Sequence, residues 1–502
     1  MTQTEDLVEV ATAAGRVRGR WRSGPGDAAR SAAFLGIPFA EPPVGDLRFA
    51  APVSHRPWDG IRDALEYGAT PQRGTADAPT IIPEPSVPGS STLNLNVFTP
   101  RPTTADAGLP VLVYIHGGGY TAGSPASPWY DGAAFNRDGV VTVTISYRLG
   151  FDGFGAIPDA PANRAVLDWL LALEWVRDNI RSFGGDPQRV TIAGQSAGGS
   201  AVLTLLGMER AQSLFSAVYA ISAPPADIAA TDARAASERM AAAAGVPNTL
   251  AGFAGVDEQR LLEIQKKIGE PVAGTNPLDI MRSMLDEGLP WAPVVDGDLI
   301  TRPTLDAIRA GVGADKPLVL GANDDEFSMI LTSAAGKLRF VPAGLILGKA
   351  GMPKAARRAY LAANRDLPGT ARIVGRYITD RMFRAYALAI AEARAAAAEA
   401  GGAAAGTWLY RFSWFSPVYG LAVHCLDVPF FFDCLDADGV EALAGGHPPQ
   451  QLADEMHAAA VGFVRSGDPG WRAFDGESEA ARVFDVPAST LDRALEATRA
   501  LV

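Results

Sequence analysis

The sequence predicts an α/β protein, with a large, mostly parallel sheet, helices on both faces and helical insertions over one end. Three observations carry this. Short apolar runs of β type alternate with amphipathic helical stretches, the pattern of βαβ units. The runs are apolar throughout, as strands covered on both faces must be. One of them, Val190-Thr191-Ile192-Ala193, passes through Gly194-Gln195-Ser196-Ala197-Gly198 into a helical stretch from Ala197 to Leu206. A strand, a tight Gly-x-Ser-x-Gly turn and a helix present a serine hydroxyl above a sheet, with a helix N-terminus aimed at whatever it attacks.

Taken in order, Val8 to Trp21 reads as a short strand pair with turns at Gly15 and Gly19. Leu35 to Pro52 is proline-rich and reads as loop. Leu93 to Phe98 alternates with period two and reads as a strand. Val111 to Ile115 is a buried strand ending in Gly117-Gly118-Gly119, and Val140 to Ser146 is another. Asn163 to Ile180 is a helix with Leu167, Leu170, Leu171, Trp175 and Val176 on one face. Two alanine-rich helical blocks follow, at about 227–290 and 338–402, separated by a strand at Lys316 to Gly321. Thr407 to Trp414 is a late strand. Because strands resume after each block, the blocks read as excursions from one domain spanning 1–502.

Composition bounds the function. With 48% hydrophobic and 20% charged residues, the chain is core-rich rather than disordered. Its net charge of −12 argues against a nucleic-acid partner and gives no basic anchor for anionic lipid, so neither nucleic acid nor membrane is expected as a partner. Two cysteines, Cys425 and Cys434, exclude a disulfide framework. Met1 to Trp21 lacks the apolar core of a signal peptide, and no run of about 18 apolar residues exists. A cytoplasmic location is the expectation. The sequence leaves oligomeric state open.

A serine nucleophile needs a base, a group that orients the base, and N–H donors for the oxyanion. Behind such an elbow the acid and then the histidine follow the serine along the chain. Of the five histidines, His55 and His116 precede Ser196. His447 sits in a glycine- and proline-rich loop and His457 in a helical pattern. His424, after the late strand, is the best-placed base. Asp324, Asp325 and Glu326 crowd the turn after Lys316 to Gly321, and spacing does not choose among them. Solvated loop residues or helix caps are the plainer roles for all three. Ala197 would supply one oxyanion N–H, and His116-Gly117-Gly118-Gly119 the others.

With these residues in place, the chain resembles the type-B carboxylesterase family, the carboxylesterase/cholinesterase-like α/β hydrolases. The matching stretches include Leu35 to Gly45, Leu95 to Pro100, His116 to Tyr120, Ser146 to Gly150, Phe183 to Pro187, the elbow itself and Pro293 to Gly297. The resemblance implies the α/β-hydrolase fold and cleavage of small carboxylic esters through an acyl-enzyme, with no metal or organic cofactor. It places the acid on Glu326, the base on His424, the oxyanion donors on Gly118, Gly119 and Ala197, and a supporting serine on Ser222. An amidase, carbamate hydrolase or lactonase could use the same residues. A non-catalytic binding member of the fold is the remote alternative. Tyr120, Trp129, Phe327 and Phe431, with Met329 and Phe415, are candidate walls of an apolar pocket, although core packing is the commoner role. The chain departs from the family at Gln195, where a glutamate is usual, at Phe327, where glycine follows the acid, and at Cys425. The family's early disulfide is absent, and so is the glutamate that Arg48 would pair with.

Overall fold

The computed structural model describes residues 6–22, 30–71, 80–269, 281–282, 285–286, 288–399, 401 and 404–502. The main sheet contains β1 (Leu7–Ala11), β2 (Arg16–Arg22), β3 (Ser31–Pro38), β4 (Ile61–Asp63), β5 (Asn94–Thr99), β6 (Leu109–Ile115) and β7 (Val141–Ile145). It continues with β8 (Gly185–Gln195) and β9 (Ala217–Ile221). A separate two-stranded pair, β10 (Ile228–Ala229) and β11 (Val294–Val295), precedes β12 (Leu318–Asn323), β13 (Thr407–Phe412), β14 (Ala481–Phe484) and β15 (Ser489–Leu491). The spatial order is β1-β2-β3-β5-β7-β6-β8-β9-β12-β13-β14-β15, with β4 on β2.

From β7 to β14 every neighbouring pair is parallel. The antiparallel strands lie at the two margins. Parallel strands buried on both faces must be apolar along their length. Accordingly β7, β9 and β12 are buried at every position. The helix Arg164–Asn179 packs Leu170, Leu173 and Val176 into one core layer, while Met456, Ala460 and Phe463 of the helix Gln450–Ser466 belong to the other.

The structure differs from the sequence reading at several strands, among them β3 and β9, and the short β4, β10, β11, β14 and β15 have no counterpart in it. Leu35 to Pro38 is strand rather than loop, because β3 pairs with β5 across a register shift between Phe34 and Ile37. β9 is absent from the sequence reading: its two alanines dilute the β-branched signal that marks the equally short β7. The first helical block contains the helices Ala230–Ala244, Leu250–Ala254 and Glu258–Gly269. Its part at 270–280 lies outside the described residues. The second block runs through Ala343–Lys349, Lys354–Ala363, Gly369–Thr379 and Ala385–Glu399, with a π-helical turn at Asp380–Arg384.

Candidate active site

Five neighbouring strands of the parallel run deliver the candidate residues at their carboxyl ends, the edge where open α/β sheets place their sites. The order β6, β8, β9, β12, β13 brings Gly118 and Gly119, Ser196, Ser222, Glu326 and His424 side by side.

β8 ends at Gln195 and the helix Ala197–Leu206 begins at once, leaving Ser196 alone in the turn. Its φ of 58° is a conformation that side chains other than glycine rarely adopt. The flanking glycines are required by close approach. A Cβ on Gly194 would lie 2.3 Å from the carbonyl of Gly198, and one on Gly198 would lie 2.0 Å from that of Ile115. The half-buried serine therefore stands over β6, within reach of the glycine loop. Among the described residues, the N–H groups of Gly118, Gly119 and Ala197 donate to no protein acceptor. Three unspent donors around one serine form a cradle for an anionic oxygen.

The turn after β12 sorts its three carboxylates. None is solvated: Asp324 is 5% exposed, and Asp325 and Glu326 are fully buried. Asp324 is bound by Arg384 and by Arg411, whose Nη2 lies 2.7 Å from Oδ2. Burial raises its pKa, but Arg384, Arg411 and Arg376 outweigh burial and hold it well below the usual carboxylate value. Asp325 meets Arg372 at 3.2 Å and Arg376 at 3.5 Å. Only Glu326 is free of arginine. Its Oε1 accepts from Ser222 Oγ at 2.7 Å and from the Asn323 N–H at 2.8 Å, and its Oε2 bonds His424 Nδ1 at 2.5 Å. The backbone N–H of His424 also donates to the Glu326 carbonyl, so the two residues are tied twice.

That bond directs the Nδ1 proton of His424 to the carboxylate and leaves Nε2 as the acceptor nitrogen. The Gln195 carboxamide donates to this nitrogen at 3.1 Å and to Cys425 Sγ at 3.3 Å. Burial opposes charge on the imidazole, yet Cys425 and Glu326 prevail, and the pKa of His424 lies well above its ordinary 6.5. The carboxylate is the stronger of the two influences, because burial also pushes the Cys425 thiol up and keeps it neutral. Cys425 and Cys434 are both free thiols.

Phe327 lies on the imidazole face with ring centroids 4.6 Å apart. Phe383, from the π-helical turn, follows at 5.4 Å. Of the predicted pocket walls, Phe327 is the one whose ring contacts the His424 imidazole among the described residues. Tyr120 is fully buried against Phe154 and Trp169. Trp129 is fully buried and donates Nε1 to the Asp438 carbonyl. Phe431 is core against Phe135 and Tyr219. Met329 packs at the edge of that core, and Phe415 is an exposed ring under Arg372. Sequence patterning could not tell these aromatics apart, since core and pocket use the same residue types. Phe383 went unnoticed because it sits in a helical block without a motif.

The other histidines are elsewhere. His116 stacks on Tyr147, His457 is buried between the Phe431 carbonyl and Asp138, and His447 is on the surface. Asp427, also missed, lies behind the acid, bonded by Tyr410 Oη at 2.9 Å and Asn323 Nδ2 at 3.3 Å. Burial, followed by the Glu326 charge, pushes its pKa up to about 7. Arg48, lacking the family's glutamate, pairs with Asp152 at 2.9 Å.

The sequence pattern of the carboxylesterase family matches residues 6–485. The chain belongs to the carboxylesterase family. It is 32% identical over 499 residues to a para-nitrobenzyl esterase of Bacillus subtilis, covering 95% of this chain and 94% of that one. It is also 32% identical over 461 residues to a fumonisin B1 esterase of Sphingopyxis macrogoltabida, covering 87% and 79%. The crystal structure of a Geobacillus stearothermophilus carboxylesterase superimposes with a TM-score of 0.82 at 31% identity, over 98% of this chain and 99% of that one. The protein is thus an α/β-hydrolase and a carboxylic ester hydrolase of the serine type. Among the described residues no helix is long and apolar enough to cross a membrane.

Proposed function

We propose that this carboxylesterase hydrolyses small-molecule esters with Ser196 as nucleophile, His424 as base and Glu326 as the acid that orients the base. The observation that carries the assignment is the 2.5 Å bond from His424 Nδ1 to a carboxylate that no arginine neutralises, at the strand end next but one to the serine elbow. As Ser196 Oγ attacks the ester carbonyl, its proton passes to His424 Nε2. Glu326 stabilises the imidazolium without taking the proton. The carbonyl oxygen becomes anionic among the N–H groups of Gly118, Gly119 and Ala197, which need no reorganisation to receive it. The alcohol leaves with the proton from His424, and water then cleaves the acyl-enzyme by the same route.

Ser222 holds Glu326, and Gln195 holds Nε2 until the serine claims it. Among the described residues Ser196 Oγ makes no hydrogen bond to the imidazole, so the amide must yield that lone pair before the proton moves. Two free thiols suit a reducing compartment, and the cytoplasm is the location this reading favours. Ser196→Ala tests the assignment: turnover of a chromogenic short-chain ester should vanish while the circular dichroism spectrum is kept. Turnover near the parent rate would refute it.

A further inference from the structure

The segment that follows the acid has a charge unlike the rest of the molecule. Between Phe327 and Arg365 there are seven basic side chains and no acidic one, in a chain of net charge −12. Among the described residues, Lys337, Arg339, Lys349, Lys354, Arg357 and Arg358 make no ion pair. All but Arg357 are exposed.

Large apolar side chains stand among these cations. Phe340 is 75% exposed, the most exposed large apolar side chain among the described residues, and Arg339 lies over its ring at 4.4 Å. On the helix Ala343–Lys349, Leu345 and Lys349 are one turn apart and both face solvent, while Ile346 and Leu347 are buried on the other side. Lys354 and Arg358 repeat this spacing on the next helix. The inner side of the same cap packs Ile346, Leu338 and Val341 in one cluster with Phe327, whose ring lies on His424. The segment thus packs Ile346, Leu338 and Val341 inward with Phe327 and leaves Phe340 and Leu345 exposed in a stretch whose cations make no ion pair among the described residues.

Exposed apolar side chains rimmed by lysine and arginine match an interfacial membrane surface, where rings and leucines enter the acyl boundary and cations meet anionic headgroups. We propose that the surface formed by Phe340, Leu345, Lys337, Arg339 and Lys349 docks this esterase onto an anionic lipid bilayer. The acidic remainder of the molecule is repelled by such a bilayer, which fixes the orientation with the cap facing it. The proposal departs from the expectation drawn from net charge, because an acidic total includes this locally basic segment. The proposal is independent of the catalytic assignment.

Vesicle co-sedimentation tests it, with phosphatidylcholine vesicles compared with vesicles that also contain phosphatidylglycerol. The protein should sediment with the anionic vesicles alone and be released as salt rises through about 0.15 M. Each cation removed should weaken binding about five-fold, so a K337Q/R339Q/K349Q triple variant should lose on the order of a hundred-fold. F340S should also bind more weakly. Both variants should hydrolyse a soluble ester such as 4-nitrophenyl acetate at the parent rate, which reports an intact fold. Equal sedimentation with both kinds of vesicle would overturn the proposal, as would a triple variant that binds like the parent. So would sedimentation equilibrium that shows a dimer abolished by F340S, since a second copy would then cover the face.

Discussion

Gln195 determines what the base meets before a substrate arrives. A carboxamide can donate to the unprotonated Nε2 of His424 and can turn its oxygen toward the imidazolium once Nε2 carries a proton. The glutamate usual at this position can only accept while ionised, and it favours the charged ring. Gln195→Glu should therefore raise the pKa of His424 further, because a carboxylate would stand about 3 Å from the charged nitrogen. A nearby opposite charge moves a pKa by roughly 1–3 units. The acid limb of the kcat/KM profile should shift upward by about one pH unit or more, measured with a neutral ester. Coincident profiles would show that the side chain at 195 leaves the base untouched. Much of this chemistry was legible in the sequence, because a nucleophile elbow and the His116-Gly117-Gly118-Gly119 loop impose local backbone constraints. Spacing alone did not choose the proposed acid among the three carboxylates of the turn; only the family resemblance pointed to Glu326. The structure separates them by partners: arginines from residues 372–411 reach Asp324 and Asp325, while Glu326 meets Ser222, the Asn323 N–H and His424, and such partners leave no local trace.

At the scale of elements, the second helical block is fastened to the acid turn by charge. Arg372 and Arg376 come from the helix Gly369–Thr379, Arg384 from the π-helical turn and Arg411 from β13, and they converge on Asp324 and Asp325. Asp380 completes the cluster through Arg384 and Tyr360 Oη. The same π-helical turn sets Phe383 against His424. Removing one partner of a buried pair leaves the others uncompensated, at a cost of about 3–5 kcal/mol. Asp324→Asn should therefore lower the unfolding free energy obtained from urea titration by an amount within that range, and it should also reduce kcat, because the Glu326 turn loses its anchor. An unchanged free energy would mean that the cluster contributes nothing to the fold. The strands that surround the elbow were readable from apolar runs alone. β9 was not, since five residues with two alanines give no period. The course of the helical blocks was not readable either, since their positions depend on ion pairs across long separations.

For the whole molecule, the site and the fold respond to acid in different pH windows. With His424 as the proposed base, catalysis needs its neutral form, and its pKa is raised above 6.5, so activity should already be falling above pH 6.5 as the pH is lowered. A raised folded-state pKa works in the opposite direction on stability. Protonated His424 beside Glu326 favours the folded state below the unfolded value and loses that contribution as the pH rises through the folded one. Asp324 has a depressed pKa, so its contribution is present above the ordinary 3.8 and is lost only as the pH falls below it. Between about pH 4 and 6 the enzyme should thus be folded and inactive. Incubation at pH 5 should leave tryptophan fluorescence unchanged, and activity should return in full at pH 8. Irreversible loss at pH 5 would show that the fold fails together with the base.

The central claim is that Ser196 forms the acyl-enzyme, and it can be read directly. The protein is labelled with a fluorophosphonate at pH 8, digested and mapped by tandem mass spectrometry. A single adduct is expected on Ser196, blocked by prior incubation with ester substrate and absent from His424→Ala at matched times. An adduct on another residue, or continued turnover with Ser196 fully labelled, would contradict the assignment.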